Sequence, residues 1–387
     1  MTSPVSLAIT ESNSISVCDA AAHAPDTSGA TLTVDLGAIR DNFLSLRESL
    51  RRVVCGAVIK ADAYGLGAIR VAEVLSQAGC DHFFVAHLDE GVAVRPHLPA
   101  NAKIFVLHGV MPGCEEVAHV HRLIPVLNGL EQIDGWTDLA RRYDQVLPAA
   151  IQVDTGMSRL GLSPAELDKI VATPDRLNGI KLCLVMSQLA CPEQIDNTSA
   201  MQRERFLAIC RRLPPAPASF ASSAAIFGSR SYHFDVVRSG GALYGLTRPV
   251  GWSYTPRTVV RLQARIVQTR NVKTGDAIGY GLTFRADRAC RVATVAIGYA
   301  DGFSRNLGNC GVAHIGTQTI PIIGSVSMDL ITLDVSSVPE NKVRPGALVD
   351  LIGPQQTVTE FAEAAGMIGD EVLTRLGQRF RRIYTTS

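Results

Sequence analysis

The sequence predicts an α/β fold, an eight-stranded parallel βα barrel followed by a C-terminal all-β domain. Three observations carry it. Eight apolar strand-like runs lie between residues 53 and 239, most of them separated by helical stretches. That alternation calls for a parallel sheet, and eight units within about 200 residues call for its closure. Beyond Pro256 the pattern turns into β-rich runs punctuated by Gly, Pro and Asp. An open doubly wound sheet is the alternative for the first part, but no G-x-G-x-x-G follows the first strand, which weakens its dinucleotide-binding form.

In chain order, residues 1–30 are rich in Ser, Ala and Thr and read as a poorly ordered tail. TLTVDL alternates as a short strand, and Ile39, Phe43, Leu46 and Leu50 then recur at helical spacing. The barrel strands read as VVCGAVIK (53–60), HFFVAH (82–87), KIFVLHG (103–109), LIPVLN (123–128), PAAIQVD (148–154), KLCLVMSQLA (181–190), ASFASS (218–223) and FDVVRS (234–239). The barrel domain is placed at 31–255 and the β-domain at 256–387, with a helical stretch near 358–376.

The bulk numbers agree with a globular protein. Of 387 residues, 47% are hydrophobic and 19% charged, and the net charge is +1. This balance disfavours nucleic acid and acidic membranes as partners. The nine cysteines form no C-x-x-C pair and several lie in apolar runs, so they read as free thiols of a reducing compartment with no metal site. The first Lys or Arg is Arg40, and no apolar run approaches membrane-spanning length; both point to a cytoplasmic protein.

Chemistry concentrates at the predicted C-terminal strand ends, where barrel active sites lie. Lys60 closes the first strand. A lysine there can simply snorkel to solvent, or it can be a Schiff-base amine in a partly desolvated site. Strand seven runs into Ser222 and Ser223, and strand eight into Arg238, Ser239, Gly240 and Gly241. Hydroxyls and glycine amides suit a phosphate, although Gly240–Gly241 also suits a plain turn. A lysine, a phosphate cup and an arginine together suggest pyridoxal 5'-phosphate.

Six motifs then resemble the alanine racemase family: VIKADAYGLGA, VDTGMSRLGL (153–162), FDVVRSGGALYGL (234–246), AIGYGLTFRA (277–286), VAIGYADGFSR (295–305) and GSVSMDLITLDV (324–335). The resemblance spans nearly everything from Thr31 to Tyr384, with the motifs in family order. It implies a homodimer with shared active sites that interconverts L- and D-alanine on a pyridoxal-phosphate aldimine. Lys60 is the implied base on the D-side; Tyr280, reaching across the dimer interface, is the implied base on the L-side. Tyr64, Ser223, Gly240 and Gly241 are the implied phosphate ligands, and Arg238 the partner of the pyridine nitrogen. Arg159 and Met328 are implied to hold the substrate, and Tyr299 to line the entrance channel. The product would serve peptidoglycan or alanine breakdown. On the residues alone, Tyr280 reads equally as a structural tyrosine in a Gly-rich turn.

Three positions depart from the family pattern. Leu66 and Gln188 each stand where many members have His, and Gln152 stands where some have a carbamylated lysine. Gln188 can hydrogen-bond but carries no charge, and Gln152 leaves Arg159 to be steadied by an anion or by the amide itself. Phe380 and Tyr384 receive no role. Competing readings are a broader-specificity serine racemase, a barrel decarboxylase or aldolase, and a non-catalytic pyridoxal-phosphate carrier. The carrier is disfavoured by the β-domain, and the decarboxylase and aldolase by AIGYGLT and GSVSMD.

Overall fold

The computed structural model describes residues 27–192, 197–246 and 255–386. Most of the tail read at residues 1–30 lies outside these residues. Strand β1 (Ala30–Asp35) leads directly into a helix, Leu36–Leu50. The Asp35 carboxylate starts this helix by accepting from Ala38 N at 2.9 Å. Its Ile39, Phe43, Leu46 and Leu50 are buried, as their spacing predicts.

Eight parallel strands follow and close into a barrel. They are β2 (Val54–Val58), β3 (His82–Val85), β4 (Lys103–Val106), β5 (Ile124–Leu127), β6 (Leu147–Gln152), β7 (Ile180–Met186), β8 (Ala218–Ser222) and β9 (Val236–Ser239). All eight coincide with the runs expected from the sequence. Strands covered on both faces need apolar residues throughout, and β3 and β5 are buried at every position. Gly56 in β2 admits the Phe84 ring, which a Cβ would meet at 2.6 Å. Phe84 stacks on Phe105 at 4.8 Å and fills the interior.

The second domain is a mixed sheet built from β10 (Val260–Val272), β13 (Cys290–Val295), β14 (Val312–Ile315), β15 (Gln318–Pro321), β16 (Ile331–Asp334), β17 (Leu348–Ile352) and β18 (Arg381–Thr385). A separate two-stranded ribbon pairs β11 (Ala277–Ile278) with β12 (Phe284–Arg285). The stretch read as one helix near 358–376 is two, Val358–Ala365 and Gly369–Arg375, separated at Gly366, whose φ of 67° caps the first. The terminal strand β18 was not anticipated.

Strand β1 belongs to this second sheet. It pairs antiparallel with β10 and parallel with β18, so the β-domain draws on both ends of the chain and the barrel is inserted between them. Buried Asn42 fastens the junction. Its side-chain amide donates to Leu243 O and Arg257 O, both at 3.0 Å, and its oxygen accepts from Arg257 N at 2.8 Å. Among the described residues, no helix is long and apolar enough to cross a membrane.

Candidate active site

A cavity of about 1050 Å³ opens at the C-terminal ends of the barrel strands. Lys60, Tyr64, Arg159, Ser223, Arg238, Gly240 and Gly241 all line it, as do Gln152 and Gln188. Three cationic side chains face a single carboxylate, Asp370, in this lining, which makes the cavity electropositive and suited to an anionic ligand.

The backbone after Lys60 is unusual. Ala61, Asp62, Ala63 and Tyr64 all lie in the left-handed region, with φ from 52° to 58°. Such a conformation costs about 1–2 kcal/mol for each non-glycine residue, so the surroundings must hold it. Ala63 N donates to Ile59 O at 2.9 Å, Gly67 N to Asp62 O at 2.9 Å and Ala68 N to Asp62 Oδ1 at 2.7 Å. Glu90 accepts from Ala61 N at 2.6 Å. The β-domain presses on the same turn, because a Cβ at Gly65 would lie 2.7 Å from Leu373 O and Arg382 donates to Gly65 O at 3.4 Å. Tyr384 packs against Gly67, which gives that unassigned tyrosine a place in the fold.

The turn buries Tyr64 against Tyr244, with ring centroids 4.6 Å apart. The hydroxyl of Tyr64 approaches Gly240 so closely that a Cβ there would meet it at 2.4 Å. Burial, and then Asp370, push the Tyr64 phenol well above its ordinary pKa, so it stays a neutral donor. The Ser223 hydroxyl accepts from Gly240 N at 2.8 Å and Ala242 N at 3.2 Å, bringing the tips of β8 and β9 together.

Arg238 is buried and donates to Ser219 Oγ (2.7 Å), Ser187 O (2.7 Å) and Gln188 Oε1 (2.8 Å). Burial lowers its pKa to about 10, which still leaves it a cation at neutral pH. These partners are neutral, and no carboxylate pairs with Arg238 among the described residues. A polar network supports them: Gln202 donates to Gln188 O (3.0 Å) and Thr155 Oγ (3.1 Å), and Ser187 Oγ donates to Val153 O (2.7 Å). Sequence reasoning missed Ser187, Ser219 and Gln202, because each lies alone in an apolar run or on a helix and becomes polar company for Arg238 only in space.

Arg159 sits on a loop organised by Asp154, whose carboxylate accepts from Gly156 N (2.9 Å), Met157 N (3.0 Å) and Ser158 N (3.1 Å). Gly161 lets the returning chain pass close to β6, where a Cβ would lie 2.8 Å from the Val153 carbonyl carbon. The exposed Arg159 guanidinium has no ion-pair partner among the described residues. His108 also faces this cavity. Burial, with His87 and Lys60 nearby, holds its pKa below the ordinary value, so it is neutral at pH 7.

Tyr280, Met328 and Tyr299 are not part of this lining. They lie on the β-domain surface, 77%, 53% and 42% exposed. One set of loops carries all three. Ser325 Oγ donates to Tyr280 O at 3.0 Å, and Ala300 N donates to Met328 O at 3.0 Å. Arg379 ties these loops together through Asp301 and Asp329, both at 2.7 Å.

The residues present fit pyridoxal phosphate. An amine follows β2, hydroxyl and glycine groups converge at the tips of β8 and β9, and the buried Arg238, with no ion-pair partner among the described residues, lines the same cavity. Comparison with known proteins agrees. Residues 34–248 match the alanine racemase N-terminal domain, and residues 259–384 the alanine racemase C-terminal domain. The chain belongs to the alanine racemase family. It is 46% identical over 361 residues to the alanine racemase of Rhodospirillum rubrum, covering 93% of this chain and 96% of that one. It is also 46% identical over 357 residues to the catabolic alanine racemase of Agrobacterium fabrum, covering 91% of each. Among solved structures, the Bartonella henselae alanine racemase with covalently bound pyridoxal phosphate superposes with a TM-score of 0.88 at 37% identity, over 92% of this chain and 99% of that one. Racemases of this family are pyridoxal-phosphate-dependent isomerases.

Proposed function

We propose that this racemase interconverts L- and D-alanine by two bases on opposite faces of the substrate, Lys60 of one subunit and Tyr280 of a second copy. The observation that carries the reading is the division of the site residues. Lys60, Tyr64, Ser223, Arg238, Gly240, Gly241 and Arg159 share the barrel cavity, whereas Tyr280, Met328 and Tyr299 stand together on an exposed face of the β-domain. A symmetric pair of chains lets each such face complete the partner's cavity.

Bound pyridoxal phosphate supplies the electron sink that acidifies the substrate Cα–H. The rest falls to side chains of this protein. Tyr64, the Ser223 hydroxyl and the Gly241 amide would hold the phosphate, with Gly240 N, which donates to Ser223 Oγ, turning that hydroxyl's own hydrogen toward it. Arg238, a cation at neutral pH, would donate to the pyridine nitrogen and keep it unprotonated, which restrains charge delocalisation and side reactions. Arg159 would pair with the substrate carboxylate, with the backbone N–H of Met328 from the second copy beside it. The Lys60 amine and the Tyr280 phenol would then take and return the α-proton on opposite faces.

The test is complementation. Lys60→Ala and Tyr280→Phe proteins should each fail to form D-alanine from L-alanine in deuterated water. Unfolded and refolded together in equal amounts, they should recover about a quarter of the wild-type activity, because half of the dimers are mixed and each has one intact site. No recovery, with mixed dimers demonstrated by mass, would refute the shared site.

A further inference from the structure

We propose that Glu90 is a positioning residue that sets the aim of Lys60, resting on the reading of Lys60 as the cofactor lysine and base. The peptides on either side of Lys60 are fixed by different means. Before it, Ile59 N donates to Phe84 O at 2.9 Å, an ordinary continuation of the barrel ladder. After it the ladder stops and the chain enters the left-handed turn. There Ala61 N donates to Glu90 Oε1 at 2.6 Å. The other oxygen of Glu90 accepts from Ala86 N at 2.7 Å and His87 N at 3.1 Å. One carboxylate therefore spans the tips of β2 and β3 and holds the peptide that follows the lysine.

Ordinary helix capping accounts for only part of this. Glu90 follows His87 by three residues at the start of a helix, Leu88–Val94, and its bond to His87 N is the usual reach back to the cap. Glu360 does the same for its own helix, accepting from Thr357 N and Thr357 Oγ, both at 2.8 Å. Glu90 goes further by accepting from a residue 29 positions away, next to the lysine. Charge and chemistry both matter, because three N–H donors converge on two oxygens. Glutamine offers one acceptor and one donor in that space, so its NH₂ must oppose an N–H on one side. The left-handed turn then loses its tie beside Lys60, and the side chain loses a fixed origin.

The experiment compares Glu90→Gln and Glu90→Ala with Glu360→Gln, a matched loss of a capping carboxylate remote from the cavity. On the pyridoxal-phosphate-saturated enzyme, both Glu90 variants should lower kcat by roughly 10- to 100-fold, in line with small misplacement of a reacting group. KM for alanine should change by less than about threefold, because Arg159 and its loop are untouched. Amide exchange at Ala61 and Asp62 should quicken in the Glu90 variants alone. A kcat within about twofold of wild type, or an equal loss in Glu360→Gln, overturns the proposal. Retained turnover in Lys60→Ala would instead overturn the underlying reading, whatever the exchange data show.

Discussion

Replacing Ala61 with glycine should stabilise this protein, against the usual effect of glycine. Ala61 is exposed and has φ 52° and ψ 49°, so its Cβ is set close to the neighbouring carbonyl. Removing that Cβ relieves about 1–2 kcal/mol. Glycine returns about 0.4–1 kcal/mol of that to the unfolded chain as added conformational freedom. The hydrogen bond from Ala61 N to Glu90 uses the backbone and survives the change. The net gain is therefore centred on about 0.8 kcal/mol, or a rise in Tm of about 1 °C for a chain of this size. The comparison is Ala364→Gly, an exposed position in the right-handed helix Val358–Ala365, where glycine should cost about 1 kcal/mol and lower Tm. Differential scanning calorimetry of the two variants beside wild type measures both signs. A fall in Tm for Ala61→Gly comparable to that for Ala364→Gly would refute the claim that the turn is held against an intrinsic cost.

Further outcomes follow from the same structure. Gly240→Ala should weaken pyridoxal-phosphate binding at least about tenfold in a fluorescence titration, since a Cβ 2.4 Å from the Tyr64 hydroxyl must push that ring out of the phosphate cup; an unchanged Kd would show that Tyr64 is not needed there. Stability should fall on mild acidification. His82, His233 and His314 are buried, and burial is the first cause holding each pKa below 6.5. The unfolded chain therefore binds their protons first, so stability is complete above pH 6.5 and is lost as pH falls towards the folded-state pKa values, by at most about 1.4 kcal/mol per pH unit for each histidine. Urea titrations at pH 7.5 and 5.5 check this, and a midpoint that rises on acidification would contradict it.

The barrel was legible because a parallel strand covered on both faces writes itself as an unbroken apolar run, as HFFV and the apolar positions of IPVL do. Sheet membership was not legible for β1, since TLTVDL alternates in the same way whichever sheet it joins and its partners lie more than 200 residues away. Nor did any residue type announce the left-handed turn: Ala-Asp-Ala-Tyr is unremarkable, and only the flanking Gly65 and Gly67 hint at tight packing. Glu90 carried a faint signal, an acid three residues after a cap position, which reads as helix capping and nothing more. Among the family departures, Gln188 keeps a hydrogen bond to Arg238 but brings no charge, while no hydrogen bond joins Gln152 to Arg159 among the described residues.

The placement of β1 between β10 and β18 also orders events during synthesis. Among the described residues, β1 leaves the ribosome before any other strand, yet it is an interior strand of a sheet whose other members follow more than 200 residues later. Its antiparallel neighbour appears only after the whole barrel sequence has emerged, and its parallel neighbour, Arg381–Thr385, later still. Vectorial folding can close the barrel early, yet it leaves a β-branched strand waiting ahead of the barrel without its hydrogen-bonding neighbours. That strand is the segment a holdase chaperone would be called on to shield, and a ribosome stalled before Arg381 would leave it open on one edge.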